Sequence, residues 1–395
     1  MSNTLNLGTD GNWATKKNSL LAYNSENGNY KPLPFNFERA GSATRVNKEG
    51  LIEVVGNNEP RIDFTDNSEG ALLLEPTRSN KVSTSNDFNG SGWNVSNLTA
   101  TANQVISPDG TLNASKLLMT GDGSLRNQSE ASFNDGYAYS IFVKKGNSRY
   151  VTIRSAFFTQ SFNCGFDLDT LTAETNGKIE DYGNDWYRLS ITKNISGDND
   201  RSGFFYLYLP NSLGSQTSVS GNYAYFYGGQ IEDGSYPTSI IPTSGSIGTR
   251  DAESSSQTVP DGVIGQTEGV LYVSIDRKLS SNGGQIIELN NGIDAIAIQF
   301  GLSNTLQCYV YVGASFPVLM NYIINADGIY NIAFAYKQND FVLYVNGVQI
   351  NSDTSGNVPS LNNVKLVASA NTLIKEAKLY NTRLSNSELA ALTSN

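Results

Sequence analysis

The feature that most constrains this chain is a two-residue periodicity that recurs from about Asn80 to the C-terminal end. In "DWYRLSITKNISG", Trp186, Arg188 and Ser190 fall on one side while Tyr187, Leu189 and Ile191 fall on the other, and "GFFYLYLP" and "NYAYFYGGQIE" follow the same rule. Successive side chains of an extended strand point to opposite faces, so such runs specify half-buried antiparallel strands. Gly, Asn and Asp clusters break the runs at short intervals, the signature of a sandwich or barrel. Composition agrees: 37 Gly, 21 Tyr and 17 Phe stand against only 16% charged residues, a turn-rich, aromatic-rich profile that favours strands over helices.

At 395 residues the chain is long enough for two or three domains. Residues 1–80 hold short irregular apolar pieces and are expected to form an N-terminal anchoring arm. Residues 81–250 carry the regular strands of a first sandwich. The Ser/Gly/Thr/Pro-rich stretch "SIIPTSGSIGTRDAESSSQTVPDGVIGQ" has no periodicity and reads as a linker. Residues 251–395 then supply six or more further strands. "YAYSIFVKKG" and "SRYVTIRSA", separated by Gly-Asn, read as a hairpin; "GIYNIAFAYKQNDFVLYVNGVQI" reads as a three-strand meander turning at Gln338-Asn339-Asp340 and Asn346-Gly347. Near the end, Ser385 with Glu388 three residues on forms a capping box that starts a short helix. The fold class is therefore all-β, two antiparallel β-sandwich (jelly-roll) domains preceded by an irregular N-terminal arm.

Charge and residue inventory exclude several chemistries. A net charge of −10 argues against a nucleic-acid groove or an anionic membrane surface. There is no histidine, which removes Ser-His-Asp, Cys-His and His-zinc sites together. Cys164 and Cys308 fall in different domains and are expected to be buried free thiols. The N-terminal "MSNTLNLGTDGNWATKKNSLLAYN" has neither the charged nor the apolar region of an export signal, and no run of about 18 apolar residues occurs. Cytoplasmic synthesis without membrane insertion is the expectation. No Glu-x-Asp-x-x-Glu run sets paired carboxylates in one cleft; "IEDYGNDW" and "IELNNGID" spread their acids over turns. No catalytic residue is assigned, and the chain is not expected to be an enzyme.

Binding chemistry is better supplied. Phe204, Tyr206 and Tyr208 share one side of their strand, and Tyr223, Tyr225 and Tyr227 share one side of theirs. Tyrosine has an apolar ring and a polar tip, so these six residues can stack on sugars, line a subunit interface, or sit half exposed beneath a loop. For metals, calcium is the ion that suits Asp, Asn and backbone oxygens, with Asp63 and Asp66 of "DFTDNSEG", the turn "SGDNDRSG", and Asp87 as candidate ligands. Arg45 and Arg61 are expected to clamp the arm through bidentate pairs with carboxylates or carbonyls.

Three resemblances sharpen this. "GIYNIAFAYKQNDFVLYVNGVQI" followed by "IKEAKLYNTRLSNSELAAL" resembles the laminin-G/concanavalin-A-like lectin jelly roll. "NDFNGSGWNVSN", "DYGNDWYRLSIT" and "NYAYFYGGQIEDGSYPTSIIPTSGSIGTR" resemble a carbohydrate-binding-module β-sandwich, which implies core positions for Trp93 and Trp186 and a calcium position near Asp87. "ATRVNKEGLIE", "PRIDF" and "LLLEPTRSN", in that order, look like the segment preceding such a sandwich in bacteriophage tail and fibre proteins. The resemblance implies a virion surface protein, a fibre, spike or tail component, that attaches to the host by weak multivalent binding of cell-surface glycans. It also implies other virion proteins as partners through the arm and a homotrimeric assembly, although no heptads enforce a trimer. A purely structural virion protein and a bacterial polysaccharide-binding or polysaccharide-degrading protein are the competing expectations.

Overall fold

How the predicted strands assemble depends on cross-strand register. The computed structural model describes residues 3–8, 12–23, 33–65, 68–90, 92–127, 131–134, 136–157, 161–195, 202–278, 283–368 and 372–394. The chain is all-β and divides into two units: Met1–Lys48 with Val54–Thr77 and Asp251–Asn395, and Arg78–Arg250 with Glu49–Glu53.

The first unit is a sandwich of two antiparallel sheets. One sheet runs Val348–Asp353, Phe341–Val345, Gly328–Lys337, Glu268–Arg277, Thr372–Tyr380, Ala71–Leu73, Ile62–Asp63, with Leu5–Leu7 also paired to Thr372–Tyr380. The other runs Ala14–Lys16, Ser19–Leu21, Pro34–Glu38, Ser254–Thr258, Asn363–Val367, Gly284–Asn290, Ala295–Phe300, Thr305–Val312, Ser315–Ile323. Leu271, Val273 and Phe334 from the first sheet meet Ile287, Leu289, Ile296 and Val310 from the second in one core, each such side chain stabilising the fold by roughly 1.5–3 kcal/mol on burial. The meander forms as expected, and its turns place Asn339 (φ 57°) and Asn346 (φ 47°) in the left-handed region, which asparagine tolerates better than most residues. On the outer side of the first sheet, Val270, Tyr272, Ala333 and Val342 pack with Leu389 of the helix Asn386–Thr393, which Ser385 and Glu388 cap reciprocally.

Residues 1–80 do not form a separate arm. Leu5–Leu7 extends one sheet and Pro34–Glu38 enters the middle of the other, where Phe35 and Phe37 are fully buried. These strands are three to five residues long, too short for periodicity to stand out. Arg61 does clamp: its Nη1 donates to Glu75 (2.8 Å), and its Nε donates to Glu253 (2.7 Å), which Arg39 Nη1 also reaches at 2.7 Å. Burial pulls the Arg61 guanidinium down, but Glu253 and Glu75 together outweigh it and hold it above its ordinary value. Arg45 takes the weaker role of donating to the Pro60 carbonyl at 3.4 Å. Part of the expected linker is ordered structure, since Ser254–Thr258 is an interior strand of the second sheet.

In the second unit a single sheet folds over on itself. The long strand Leu112–Asn127 pairs with Tyr223–Asp233 through Ser115–Leu118 and with Ser202–Tyr208 through Leu125 and Arg126. One layer continues through Gly136–Lys145, Trp186–Asn194 and Gly177–Asp181, the other through Tyr150–Phe157, Phe162–Asp167 and Thr172–Ala173. The bend falls where Gly123 comes so near Trp93–Ile106 that an added Cβ would lie 2.0 Å from the Ser96 carbonyl oxygen, an approach only glycine permits. Ile141, Leu189 and Phe226 of one layer and Ile153, Phe205 and Leu207 of the other share one core. The expected hairpin of 137–146 with 148–156 is not formed: Gly136–Lys145 pairs with Trp186–Asn194 and Tyr223–Asp233, while Tyr150–Phe157 pairs with Phe162–Asp167 and Ser202–Tyr208. The Gly-Asn segment carries the chain from one layer to the other. Trp93 and Trp186 are buried, their indole N–H groups donating to the carbonyls of Thr84 (2.8 Å) and Ile106 (3.0 Å).

Candidate ligand-binding groove

The outer face of the nine-stranded sheet carries a groove whose shape follows from its register. Core residues Leu366, Ile287, Leu289, Ile296, Ile298, Cys308 and Val310 point inward, so the residues alternating with them point out. One cross-strand row reads Asn36, Ser256, Lys365, Glu288, Ala297, Tyr309, Leu319. The neighbouring row reads Thr258, Asn363, Asn290, Ala295, Tyr311. Alanines at 295 and 297 therefore set a low floor between a polar wall and an aromatic wall. Two strand spacings of ~4.8 Å put the backbones of those walls roughly 10 Å apart, a gap that Tyr309 and Gln285 bridge at one end, and the open groove has a volume of about 600 Å³, a size suited to a small ligand.

The polar wall is held in place. Glu288 accepts from Gln285 Nε2 at 2.6 Å on one carboxylate oxygen and from Asn290 Nδ2 at 2.7 Å on the other. Gln285 also donates to the Tyr309 hydroxyl at 3.2 Å. The fixed carboxylate keeps lone pairs for further donors. On the opposite wall Phe316 packs edge-on against Tyr309 (5.3 Å between ring centroids) and tilted against Tyr311 (5.1 Å), and yet is 55% exposed. At the rim Asp294 is fixed by the Gly313 amide at 3.2 Å, beside Ile293, which is 76% exposed. An exposed ring and an exposed aliphatic side chain beside oriented polar groups suit a ligand with an apolar face and hydroxyl edges. The acids of "IELNNGID", read from the sequence as spread across a Gly turn, thus line a groove. Tyr309, Tyr311, Phe316 and Gln285 were not singled out; the alternation in "TLQCYVYVG" was the available signal.

The six aromatic residues named from the sequence do not make one surface. Phe204, Tyr206 and Tyr208 alternate with the core residues Phe205, Leu207 and Leu209, so they stand on the outer side of one layer of the second unit, Phe204 and Tyr206 half-buried and Tyr208 buried at 9% exposure. Tyr206 and Tyr208 stack at 6.2 Å. Tyr223 and Tyr225 alternate with core residues Ala224 and Phe226 of the other layer and stand on its outer face, with Lys116 Nζ 3.9 Å from the Tyr223 ring centre. Tyr227 is 3% exposed, packs on Phe142 and donates to Asp109 at 3.1 Å. Burial raises its phenol above the ordinary range, helped by that carboxylate.

Of the calcium candidates, Asp63 is buried and spends its oxygens on the backbone N–H groups of Val46 (2.8 Å) and Thr65 (2.9 Å). Burial, the largest influence, holds its carboxyl above the usual range despite those bonds. Asp87 accepts from the Asn89 amide at 3.1 Å in a turn. Asp66 and most of "SGDNDRSG" lie outside the described residues. Among the described residues no group of three or more carboxylate or thiol side chains gathers where it could hold a metal ion.

No protein-family model matches the chain, and no curated protein matches it. Among solved structures, it is similar to the binding domain of botulinum neurotoxin DC in complex with SialylT, at 13% identity and TM-score 0.33, over 36% of this chain and 40% of that one. The Ruminococcus gnavus IT-sialidase CBM40 bound to alpha2,3 sialyllactose matches 33% of this chain and 84% of its own, at 16% identity and TM-score 0.30. Domain 4 of AbnA, an arabinanase from Geobacillus stearothermophilus, in complex with arabinotriose, matches 36% and 73%, at 15% identity and TM-score 0.30. The match thus spans about 40% of the length of the neurotoxin domain.

Proposed function

We propose that the chain is a glycan-binding protein and that the groove over Ala295 and Ala297 is its sugar site. The observation that carries this is the pairing across one alanine floor of a carboxylate fixed on both oxygens, Glu288, with an exposed ring, Phe316. A pyranose offers the same duality, an apolar ring face and hydroxyl donors at its edge. Binding without turnover is the reading we adopt: the backbones of Glu38 and Glu288 stand three strand spacings apart, roughly 14 Å at ~4.8 Å each, and Asp294 is held at the rim by the Gly313 amide.

The setting we propose is a bacteriophage virion surface, where several copies of a weak site act together on host glycans. The ordered signature "ATRVNKEGLIE", "PRIDF", "LLLEPTRSN" supports that setting. A glycan array with the whole chain, followed by calorimetry, tests the binding. Host-derived saccharides are expected to bind, and to lose affinity in Phe316→Ala and Glu288→Ala. Mass spectrometry of purified particles tests the setting, and light scattering tests the trimer, which would weigh three times the 42.7 kDa chain. A chain found on particles that binds no saccharide would assign it a structural virion role instead.

A further inference from the structure

The second unit carries a separate arrangement that the groove does not explain. On the outer face of one layer, Arg126 and Arg154 are the direct cross-strand neighbours of Tyr206, one on each side. Both guanidiniums lie over its ring, at 5.9 Å and 5.7 Å from the centroid, and Arg126 also lies 4.3 Å from the Phe204 centroid. Among the described residues neither arginine is in an ion pair, whereas Arg39, Arg61, Arg149 and Arg383 all are. Arg154 has a neutral partner in the Tyr208 hydroxyl. In a chain with 37 acidic and 27 basic residues, two cations flanking one ring without an ion pair among the described residues go against the overall charge; Asp122 acts on the neighbouring Tyr208 hydroxyl but pairs with neither. The two guanidiniums stand on the strands either side of Ser202–Tyr208, and an anion held between them would relieve their repulsion.

We infer that this face is a second binding site, for an acidic saccharide whose carboxylate is held by Arg126 and Arg154 while its ring rests against the half-buried Tyr206. Charge complementarity selects the acid: guanidinium donors match a carboxylate in two-pronged geometry. The partly exposed rings of Tyr206 and Phe204 select a sugar over a bare anion, because they offer an apolar surface that an inorganic ion cannot use. With two guanidiniums on offer among the described residues of this face, a single carboxylated residue is favoured over a long polyanion, which the net charge of −10 would repel. This inference extends the glycan-binding proposal to a different unit of the chain and does not depend on the groove.

The test is calorimetry of the whole chain with trigalacturonate and sialyllactose, with cellotriose as the neutral control, and with Ala295→Phe as a groove-disabled background. The expected result is binding of at least one acidic saccharide in the Ala295→Phe background. That binding should weaken about tenfold or more in Arg126→Gln, on the scale of a lost charge-assisted hydrogen bond, and weaken further as salt rises. Among the described residues the Arg126 side chain donates no hydrogen bond, so an unchanged melting temperature in Arg126→Gln shows that the loss is not unfolding; Arg154→Gln serves as the second variant. The inference is overturned if neither acidic saccharide binds better than cellotriose, if Arg126→Gln binds as the parent does, or if phosphate alone displaces the saccharide with equal affinity. Loss of binding only in Ala295→Phe would place the acidic sugar in the groove and would overturn this site while sparing the other.

Discussion

Glu253→Gln is the substitution expected to damage the first unit most for the smallest change in shape. The Glu253 side chain is fully buried and shared: one oxygen accepts from Arg39 and Arg61, the other from Arg61 Nη2 and, at 2.8 Å, from the Glu75 amide. These partners come from three stretches of sequence, so the carboxylate ties the N-terminal strands to the strand that begins at Ser254. Glutamine keeps the volume but removes the charge and turns one acceptor into a donor facing guanidinium groups. Breaking a buried ion pair from one side typically costs about 3–5 kcal/mol. In a unit of this size each kcal/mol lowers the melting temperature by about 2–4 °C, giving a drop of roughly 6–20 °C by differential scanning calorimetry. The control is Glu268→Gln, which removes the half-exposed pair with Lys337 and should cost under about 1 kcal/mol. If Glu253→Gln melts within about 2 °C of the parent, the buried cluster does not hold the unit together and the reasoning fails.

Other outcomes follow from the same geometry. Phe316→Ala, which removes a ring that is 55% exposed, should change stability by no more than about 0.5 kcal/mol yet weaken saccharide binding about 3- to 10-fold, the worth of one stacked ring. Ala295→Phe should fill the groove floor and abolish that binding while the circular dichroism spectrum stays native. Burial pushes the Cys164 thiol up to about 12, with Glu174 adding to it, and Cys308 is fully buried; Ellman's reagent should therefore label neither thiol in the native chain and both in denaturant. Arg149 holds the Asp167 carboxyl well below its ordinary range. A depressed folded pKa gives stability that is present above the unfolded value near ~3.9 and is lost as pH falls below it, so the melting-temperature gap between parent and Arg149→Gln should shrink as pH is lowered from about 5 to about 2.

What could be read in advance was what is local. The capping box of Ser385 and Glu388 and the turns at Asn339 and Asn346 are set by residues three or four apart, and each appears where the sequence placed it. The pairing of Gly136–Lys145 was misread because a Gly-Asn turn fixes a change of direction, not the strand that will lie alongside. The residues before Thr77 looked irregular because their strands are too short to show alternation, although Phe35 and Phe37 carry it in miniature. Tyr206 and Tyr223 were grouped by residue type, and only the bend of Leu112–Asn127 sends them to different faces. The groove was hidden for a related reason: it joins Glu288, Ala297 and Tyr309 across three strands, and Ala297 matters because it is small.

The central claim is that sugar lies between Glu288 and Phe316, and a crystal structure of the chain with its best saccharide tests it most directly. The expected density is a pyranose ring within about 4 Å of Phe316 or Tyr311, with a hydroxyl donating to Glu288 at about 2.7 Å. Clear saccharide density elsewhere on the first unit, with the floor over Ala295 and Ala297 left to water, would contradict it.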